Sequence, residues 1–288
     1  MKRISLLILS VFIGMQAFAF SIESTRFHCD KDTIKINQLL KEGIAADLST
    51  SGEYMVFFAE KLLGTPYVAH TLEGDKEYLT INIHELDCST FIETLMSLTL
   101  SAQMKSPTWY TFASNLEKIR YHSGELNGYG SRLHYVSAWV VENTSRGIIE
   151  EVTNRFPDYE NVVKSLYFMT AHRKSYPAMQ DDAVFEDIKN LESGYNMHMY
   201  PILPKGVLMK KDVIAEFRDG DIIALTTKIE GLDVTHFGII KFVKGKPHLL
   251  HASSNKMKVI VDKYDLYEML RPSRSCTGVR VIRLKQQQ

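Results

Sequence analysis

Cysteine is scarce in this chain: Cys29, Cys88 and Cys276 are the only three among 288 residues. An odd number excludes a closed disulfide framework, so at least one thiol stays free or pairs between chains. An excess of charge of either sign is also missing. The 34 Lys and Arg balance the 34 Asp and Glu, which removes the basic footprint expected of a nucleic-acid partner. No internal repeat and no Pro-, Gly- or Ser-rich linker interrupts the chain, so no clean domain boundary is marked. Beyond the first twenty residues no apolar run reaches the ~20 residues that a bilayer span needs. Hydrophobic residues at 45% and charged residues at 24% exclude disordered and low-complexity classes and leave a chain able to bury a large core.

What is present begins with an unusual N-terminus. Lys2 and Arg3 precede an apolar run over residues 4–15, and Gln16-Ala17-Phe18-Ala19 follows. A charged start, an apolar centre and an A-x-A end describe a secretory signal cut after Ala19, leaving 288 − 19 = 269 residues. The alternative is an N-terminal anchor, for which the run is short. No cysteine follows the cut directly, as a lipoprotein would require. The expectation is an exported protein without stable membrane insertion, periplasmic, with full secretion as the alternative. In an oxidising compartment Cys29 and Cys276, near the two ends, are candidates to bridge.

The rest divides by hydrophobic period. Residues 34–45 carry apolar side chains at 34, 36, 39, 40 and 44, a helical spacing. Residues 51–63 repeat it until Gly64-Thr65-Pro66 stops the helix. Residues 89–100, 109–121 and 134–141 are further helix candidates. The last third changes character: 221–226, 235–243, 248–252, 258–261 and 279–284 are β-branched or apolar runs bounded by turn residues. Helices first and strands later predict an α+β fold with an antiparallel meander packed on helices. After the signal (1–19), residues 20–288 are expected to form one elaborated domain. Its core spans about 53–103 and 218–284, and a mostly helical insertion spans about 105–217.

Cys88 stands where Leu86-Asp87-Cys88-Ser89-Thr90 runs into the apolar helix beginning near Phe91. Asp87 and Ser89 are both good N-caps, which puts the thiol at the cap or in the first turn. Free backbone N–H groups and the positive end of the helix dipole favour thiolate there. The same N–H groups can hold an oxyanion. The other reading is a small buried hydrophobe, the usual fate of a cysteine.

A nucleophilic thiol needs a base. His236 opens the otherwise apolar strand 235–243, and His251 closes the next one. Lys244-Gly245 between them reads as a two-residue hairpin turn. In that register Val243 faces Lys246, and His251 faces Gly238. His236 and His251 then share a face as diagonal neighbours about 7–8 Å apart at the backbone. The pattern is nucleophile, base and orienter: Cys88, His236 and His251. Two alternatives remain, hydrogen-bonded histidines without chemistry and a zinc site on the same three residues. No short-spaced ligand pair such as H-x-x-x-H or C-x-x-C supports zinc, so neither metal nor cofactor is expected.

Taken together, Gly64-Thr65-Pro66-Tyr67, Leu86-Asp87-Cys88-Ser89-Thr90-Phe91, Asp219-Gly220-Asp221-Ile222, His236-Phe237-Gly238-Ile239 and His251-Ala252-Ser253 resemble the NlpC-type, papain-like cell-wall hydrolases. The likeness covers about 53–101 and 218–284. Arg132-Leu133-His134-Tyr135 with Trp139, and Leu232-Asp233-Val234-Thr235-His236, are similar to one branch of that superfamily, formerly a domain of unknown function. Its members act as N-acetylmuramoyl-L-alanine amidases and occur in gut Bacteroidetes-type bacteria. The resemblance implies a papain-like fold, a Cys88–His236–His251 triad, and cleavage between the lactyl group of muramic acid and L-alanine. The partner implied is cell wall or its fragments. In peptidase branches a tyrosine like Tyr67 and the residues flanking the cysteine, here Asp87 and Ser89, hold the amine of a stem peptide. An amidase would place a sugar there instead. Arg132, His134 and Tyr200 are candidates for sugar or carboxylate contacts, with a plain salt bridge as the alternative for Arg132. Trp109 and Trp139 fit core packing better. Two other functions stay open: a γ-D-glutamyl endopeptidase on the same triad, and a non-catalytic muropeptide-binding protein.

Overall fold

The computed structural model describes residues 21–286, so the signal expected at residues 1–19 lies outside the described residues. After a short strand β1 (Thr25–Phe27), helices α1 (Asp32–Ala45) and α2 (Ser51–Lys61) form where the apolar spacing predicts them. α2 starts in a capping box. Thr50 accepts the backbone N–H of Glu53, and the Glu53 carboxylate accepts that of Thr50. Strand β2 (Leu79–Ile81) pairs in parallel with β1, and the chain then enters α3 (Cys88–Ala102). Every residue of α3 from 90 to 102 is buried. A helix apolar on all sides belongs in the middle of a fold. Accordingly α1, α2 and α4 (Trp109–Arg120) surround it and a sheet closes the remaining side. Phe91, Ile92 and Leu95 are fully buried, and each contributes about 2 kcal/mol by leaving water.

Residues 105–217 depart from expectation. They supply helices α4, α5 (Val136–Ser145), the short α6 (Phe168–Ala171), α7 (Asp182–Ser193) and α8 (Lys211–Glu216). They also supply three strands, β3 (Ile149–Glu151), β4 (Glu160–Lys164) and β5 (His198–Pro204). Helix outweighs strand in this segment, and the three strands are what the sequence pattern does not show. Pro201 and Pro204 hide β5 from a pattern reading, because proline cannot donate to a ladder and argues against a strand. Here β5 nonetheless bridges β4 on one side and the last strand (Cys276–Leu284) on the other, with Pro204 at its end facing Gly278.

The C-terminal part is the expected meander: β6 (Ile222–Thr227), β7 (Val234–Val243), β8 (Lys246–Ser253) and β9 (Lys258–Asp265). A short α9 (Leu266–Leu270) leads to β10 (Cys276–Leu284), which crosses back beside β6. The order β4-β5-β10-β6-β7-β8-β9 is antiparallel throughout, with β3 also on β10. This is a mixed α+β architecture. One face of the sheet packs Ile222, Phe237, Ile239 and Leu250 toward α3. The other packs Ile223, Ile240, Leu249 and Val281 with Phe217 and Leu266. The cysteines Cys29, Cys88 and Cys276 are all free thiols, so the bridge between the chain ends is not formed.

Asp219-Gly220-Asp221 works as a structural clasp. Asp219 accepts the backbone N–H of Phe242 at 2.6 Å, and the Gly220 N–H reaches Ile240 O at 2.9 Å. Asp221 takes both Nε and Nη2 of Arg283, at 2.7 and 2.8 Å. The motif thus ties β6, β7 and β10 together where the meander begins. Gly220 sits at φ +82°, and a Cβ there would lie 2.5 Å from the backbone of Gly52. Left-handed strain and a backbone clash combine. Gly220→Ala is expected to cost about 2 kcal/mol or more, seen as a lowered midpoint in thermal or urea unfolding. An unchanged midpoint would contradict the clasp.

Candidate active site

The first turn of α3 is capped on one side only. The Asp87 carboxylate accepts the N–H of Thr90 at 2.8 Å, and the Thr90 hydroxyl accepts that of Asp87 at 2.9 Å. Phe91 N–H already reaches Asp87 O at 3.0 Å. The backbone N–H of Ser89 has no protein acceptor among the described residues, and that of Cys88 is turned to its own sulfur. They flank the thiol at the positive end of a fifteen-residue helix. The strip holding Gly64 to Tyr67 fixes this loop from outside. Leu86 N–H bonds Pro66 O at 3.0 Å, and Tyr67 N–H bonds Met257 O at 3.0 Å.

The β7–β8 hairpin turns at Lys244 and Gly245, both at positive φ, as a two-residue turn requires. Its register runs from Val243↔Lys246 to Ile239↔Leu250. One step further, a Cβ on Gly238 would come within 3.0 Å of the His251 Cβ. The absent side chain at 238 leaves space that the Leu249 side chain fills, with the His251 Cβ beside it. His236 Nε2 and His251 Nδ1 meet at 2.6 Å, with the rings nearly perpendicular at 88°. The partner on the next strand, Asp262, was not singled out by the sequence. Its Oδ2 lies 3.9 Å from His251 Nε2, a nitrogen that is buried and otherwise unpartnered. A carboxylate there favours a proton on His251 Nε2. The separation exceeds a hydrogen bond, so the preference is electrostatic; with it His251 Nδ1 accepts from His236 Nε2 and leaves His236 Nδ1 bare. The spacing of Asp262 from any motif hides it. Only the β8–β9 pairing, with His251 opposite Ile260, places it diagonally beside His251.

Strand β7 reaches the thiol through its backbone. The Phe237 N–H, immediately after His236, points to the Cys88 sulfur, as does the Ser89 hydroxyl. No hydrogen bond joins Cys88 to His236 itself; such contacts often tighten only with substrate bound. The electrostatics differ from a thiolate at rest. Burial, then repulsion from the Asp87 carboxylate, pushes the Cys88 thiol up to about 11 despite those donors. Burial, then His251, holds His236 down to about 3, and burial holds His251 to about 4. At neutral pH the three groups are uncharged. Desolvation and the Asp87 charge here outweigh the N–H and hydroxyl donors around the sulfur.

The remaining candidate residues divide. Tyr67 belongs with the thiol: burial, then Cys88 and Asp87, raises its hydroxyl to about 12. Ser89 and His134 line one narrow cleft of about 310 Å³ with Glu93, Trp139 and Phe237. His134 is bonded to Tyr129 O at 2.9 Å and kept neutral first by burial, then by Arg132. Asp87 is placed beside the thiol, with its Oδ1 committed to the cap. Arg132 is a buried structural cation instead of a substrate contact. It is salt-bridged to Glu73 at 2.9 Å and Glu77 at 3.4 Å and lies over the Tyr129 ring. Tyr200 is buried on β5 beneath Arg280, and β10 and β6 separate it from β7. Trp139 packs on Phe237 and Trp109 on Phe27. A roomier cavity of about 1130 Å³ lies around Gly52, Arg155, Arg218 and Arg283 and includes none of these residues. Size does not identify the site here; the converging chemistry does.

A model of the AmiA-like family, described as N-acetylmuramoyl-L-alanine amidase-like, matches residues 57–278. Among solved structures, an N-acetylmuramoyl-L-alanine amidase from Bacteroides uniformis is 38% identical over 83% of this chain and 100% of that one, with a TM-score of 0.77. A provisionally named xylanase from Bacteroides fragilis is also 38% identical, over 78% of this chain and 99% of that one, with a TM-score of 0.74. A Legionella pneumophila protein at 19% identity, covering 89% of this chain and 95% of that one, shares the fold with a TM-score of 0.67. No curated protein matches the chain.

A thiol held near pKa 11 reacts slowly with iodoacetamide at pH 7, because only thiolate attacks. Mass spectrometry of the Cys88 peptide is expected to give a rate about tenfold or more below that of a free cysteine. The rate should then climb with pH beyond the free-cysteine midpoint near ~8.5. Rapid, pH-independent labelling around neutrality would contradict the resting state described.

Proposed function

The chain belongs to the N-acetylmuramoyl-L-alanine amidase-like family, a peptidoglycan amidase-like group, and from that premise we propose a cysteine amidase with a papain-like core. It cleaves the amide between the muramoyl lactyl group and L-alanine in peptidoglycan or its fragments. What supports the reading is the Phe237 N–H, next to His236, turned to the Cys88 sulfur at the start of α3, together with the His236–His251 hydrogen bond at 2.6 Å. Core elements around 53–103 and 218–284 carry the chemistry, and 105–217 builds on them. The segment before residue 20 directs export, with the periplasm as destination and secretion as the alternative. Among the described residues no helix is long and apolar enough to cross a membrane.

In the proposed reaction His236 Nδ1 takes the thiol proton as the Cys88 sulfur attacks the lactyl carbonyl carbon. The C–S bond forms while the carbonyl π pair moves to oxygen. The Cys88 and Ser89 N–H groups receive that oxyanion. His236 returns the proton to the departing L-alanine nitrogen as the C–N bond breaks. Water, deprotonated by His236, then attacks the thioester, and the sulfur leaves and is reprotonated. Starting from neutral partners avoids holding a buried ion pair at rest. The imidazolium appears only transiently, with the His251–Asp262 relay beside it to stabilise the charge. A glycosidase reading fits poorly, because sugar hydrolysis uses a free pair of carboxylates. Asp87 is engaged in the helix cap and Glu93 is ion-paired with Arg120 at 2.7 Å. Tyr67, Ser89 and His134 are the proposed substrate contacts.

Defined muropeptides followed by product masses test the bond. The expected products are free muramic-acid sugar and a peptide beginning at L-alanine, both absent with Cys88→Ala. Cleavage after D-glutamate would assign the endopeptidase activity instead, and binding without turnover a non-catalytic role. Wild-type turnover by metal-free Cys88→Ala would overturn the mechanism.

Asp262→Asn keeps shape and removes charge. It is expected to lower kcat about 10–100-fold with little change in KM, the mark of an interaction made in the transition state. An effect confined to KM would remove Asp262 from the relay.

A further inference from the structure

Away from the active site, a second set of chemically matched side chains meets at the N-terminal arm. Cys29 lies two residues beyond β1, Asp32 opens α1, and His84 stands in the loop that leads to Cys88. One donor atom from each lies within 4.8 Å of the others. Asp32 is fully buried and held rigidly. Its Oδ2 accepts the Cys29 N–H at 2.8 Å and its Oδ1 the Ile83 N–H at 3.2 Å. Each oxygen keeps a further lone pair. The His84 Nε2 is sealed from solvent and has no hydrogen-bond partner. It stops 3.8 Å short of Asp32 Oδ1, too far for a hydrogen bond. A buried polar atom left so costs about 1–3 kcal/mol. Cys29 is a free, partly exposed thiol, which gives an ion a route in.

A proton cannot bridge these three groups, whereas a borderline-soft dication can. Zinc accepts sulfur, nitrogen and oxygen at about 2.0–2.3 Å, which sets tetrahedral ligand atoms roughly 3.3–3.8 Å apart. From the 4.8 Å bound the separations need closing by about 1–1.5 Å at most, within the reach of a Cys29 or His84 side-chain rotation. We propose that Cys29, Asp32 and His84 form a zinc site, with water in the fourth position. On binding, the Cys29 thiol releases its proton to solvent and the Zn–S bond forms. Thiolate and Asp32 carboxylate then balance the dication. Lys35, bonded to Ile83 O at 2.9 Å, repels the ion, so the site is weaker than a closed four-ligand one. Cys29 and Asp32 are three residues apart, but His84 lies 52 residues further on (84 − 32), so the sequence does not announce the set. The ion would pin the N-terminal arm to the loop before the nucleophile.

Untagged Cys88→Ala protein is the background for the test, since it removes the thiol of the active site as a rival ligand. Equilibrium dialysis against micromolar zinc should retain one equivalent per chain, and cobalt should give a thiolate-to-metal charge-transfer band. Adding Cys29→Ser or His84→Ala should each cut retained zinc by more than half and abolish that band, while Cys276→Ser changes neither. Circular dichroism checks that each variant is folded. No retained zinc in the background protein, or undiminished zinc and cobalt absorption after Cys29→Ser, overturns the site. Neither result bears on the amidase reading, which needs no metal.

Discussion

The hydrogen bond between His236 and His251 depends on a hairpin register, and the proposed chemistry depends on that bond. Two strands joined by Lys244-Gly245 can pair in one way that keeps Phe237, Ile239 and Leu250 on the helix-facing side. That same pairing brings the two imidazoles to one face, beside Gly238. A slip of one residue would bury polar rings in the wrong layer and expose the apolar row. Core burial therefore enforces the site geometry. The clasp of Asp219, Gly220 and Asp221 holds the opposite end of β7 against β6 and β10, so the register is secured at both ends.

Burial supplies positioning and sets the charge state together. The helix that carries Cys88 is buried from Thr90 onward, which fixes the sulfur, while Cys88 itself is part-exposed at the helix start and hemmed in by neighbouring atoms. Desolvation then raises the thiol and lowers both histidines, leaving a neutral resting site. In the proposed reaction charge separation is deferred to the moment of attack, when the backbone N–H groups at the start of α3 and the nearby Asp262 carboxylate are already in place to receive it. Preorganised dipoles of this kind need no rearrangement as charge develops.

Much of this arrangement could be read from residues alone. Asp87-Cys88-Ser89-Thr90 before an apolar stretch specifies a capped helix with the thiol in its first turn, because capping chemistry is local. The hairpin register follows from turn length and alternation, which are local as well. Features that depend on distant packing were hidden. The strand at 198–204 carries two prolines that mask it. Arg132 and Tyr200 have polar or aromatic character suited to ligand contacts, yet tertiary structure uses Arg132 in a buried acid cluster and stacks Tyr200 under Arg280. Asp262 and the Cys29–Asp32–His84 group come together only through strand pairing and loop packing. The thiolate expected from helix position failed for a related reason: a dipole is a property of sequence position, whereas desolvation is a property of the whole fold.

The proton positions on the two imidazoles are the most direct test of the central claim. Long-range nitrogen-15 NMR on ring-labelled protein near neutral pH reads the tautomer of each histidine. The account predicts both rings neutral, with His236 protonated on Nε2 and bare on Nδ1, and His251 protonated on Nε2. A His236 ring carrying its proton on Nδ1, or doubly protonated at rest, would contradict it.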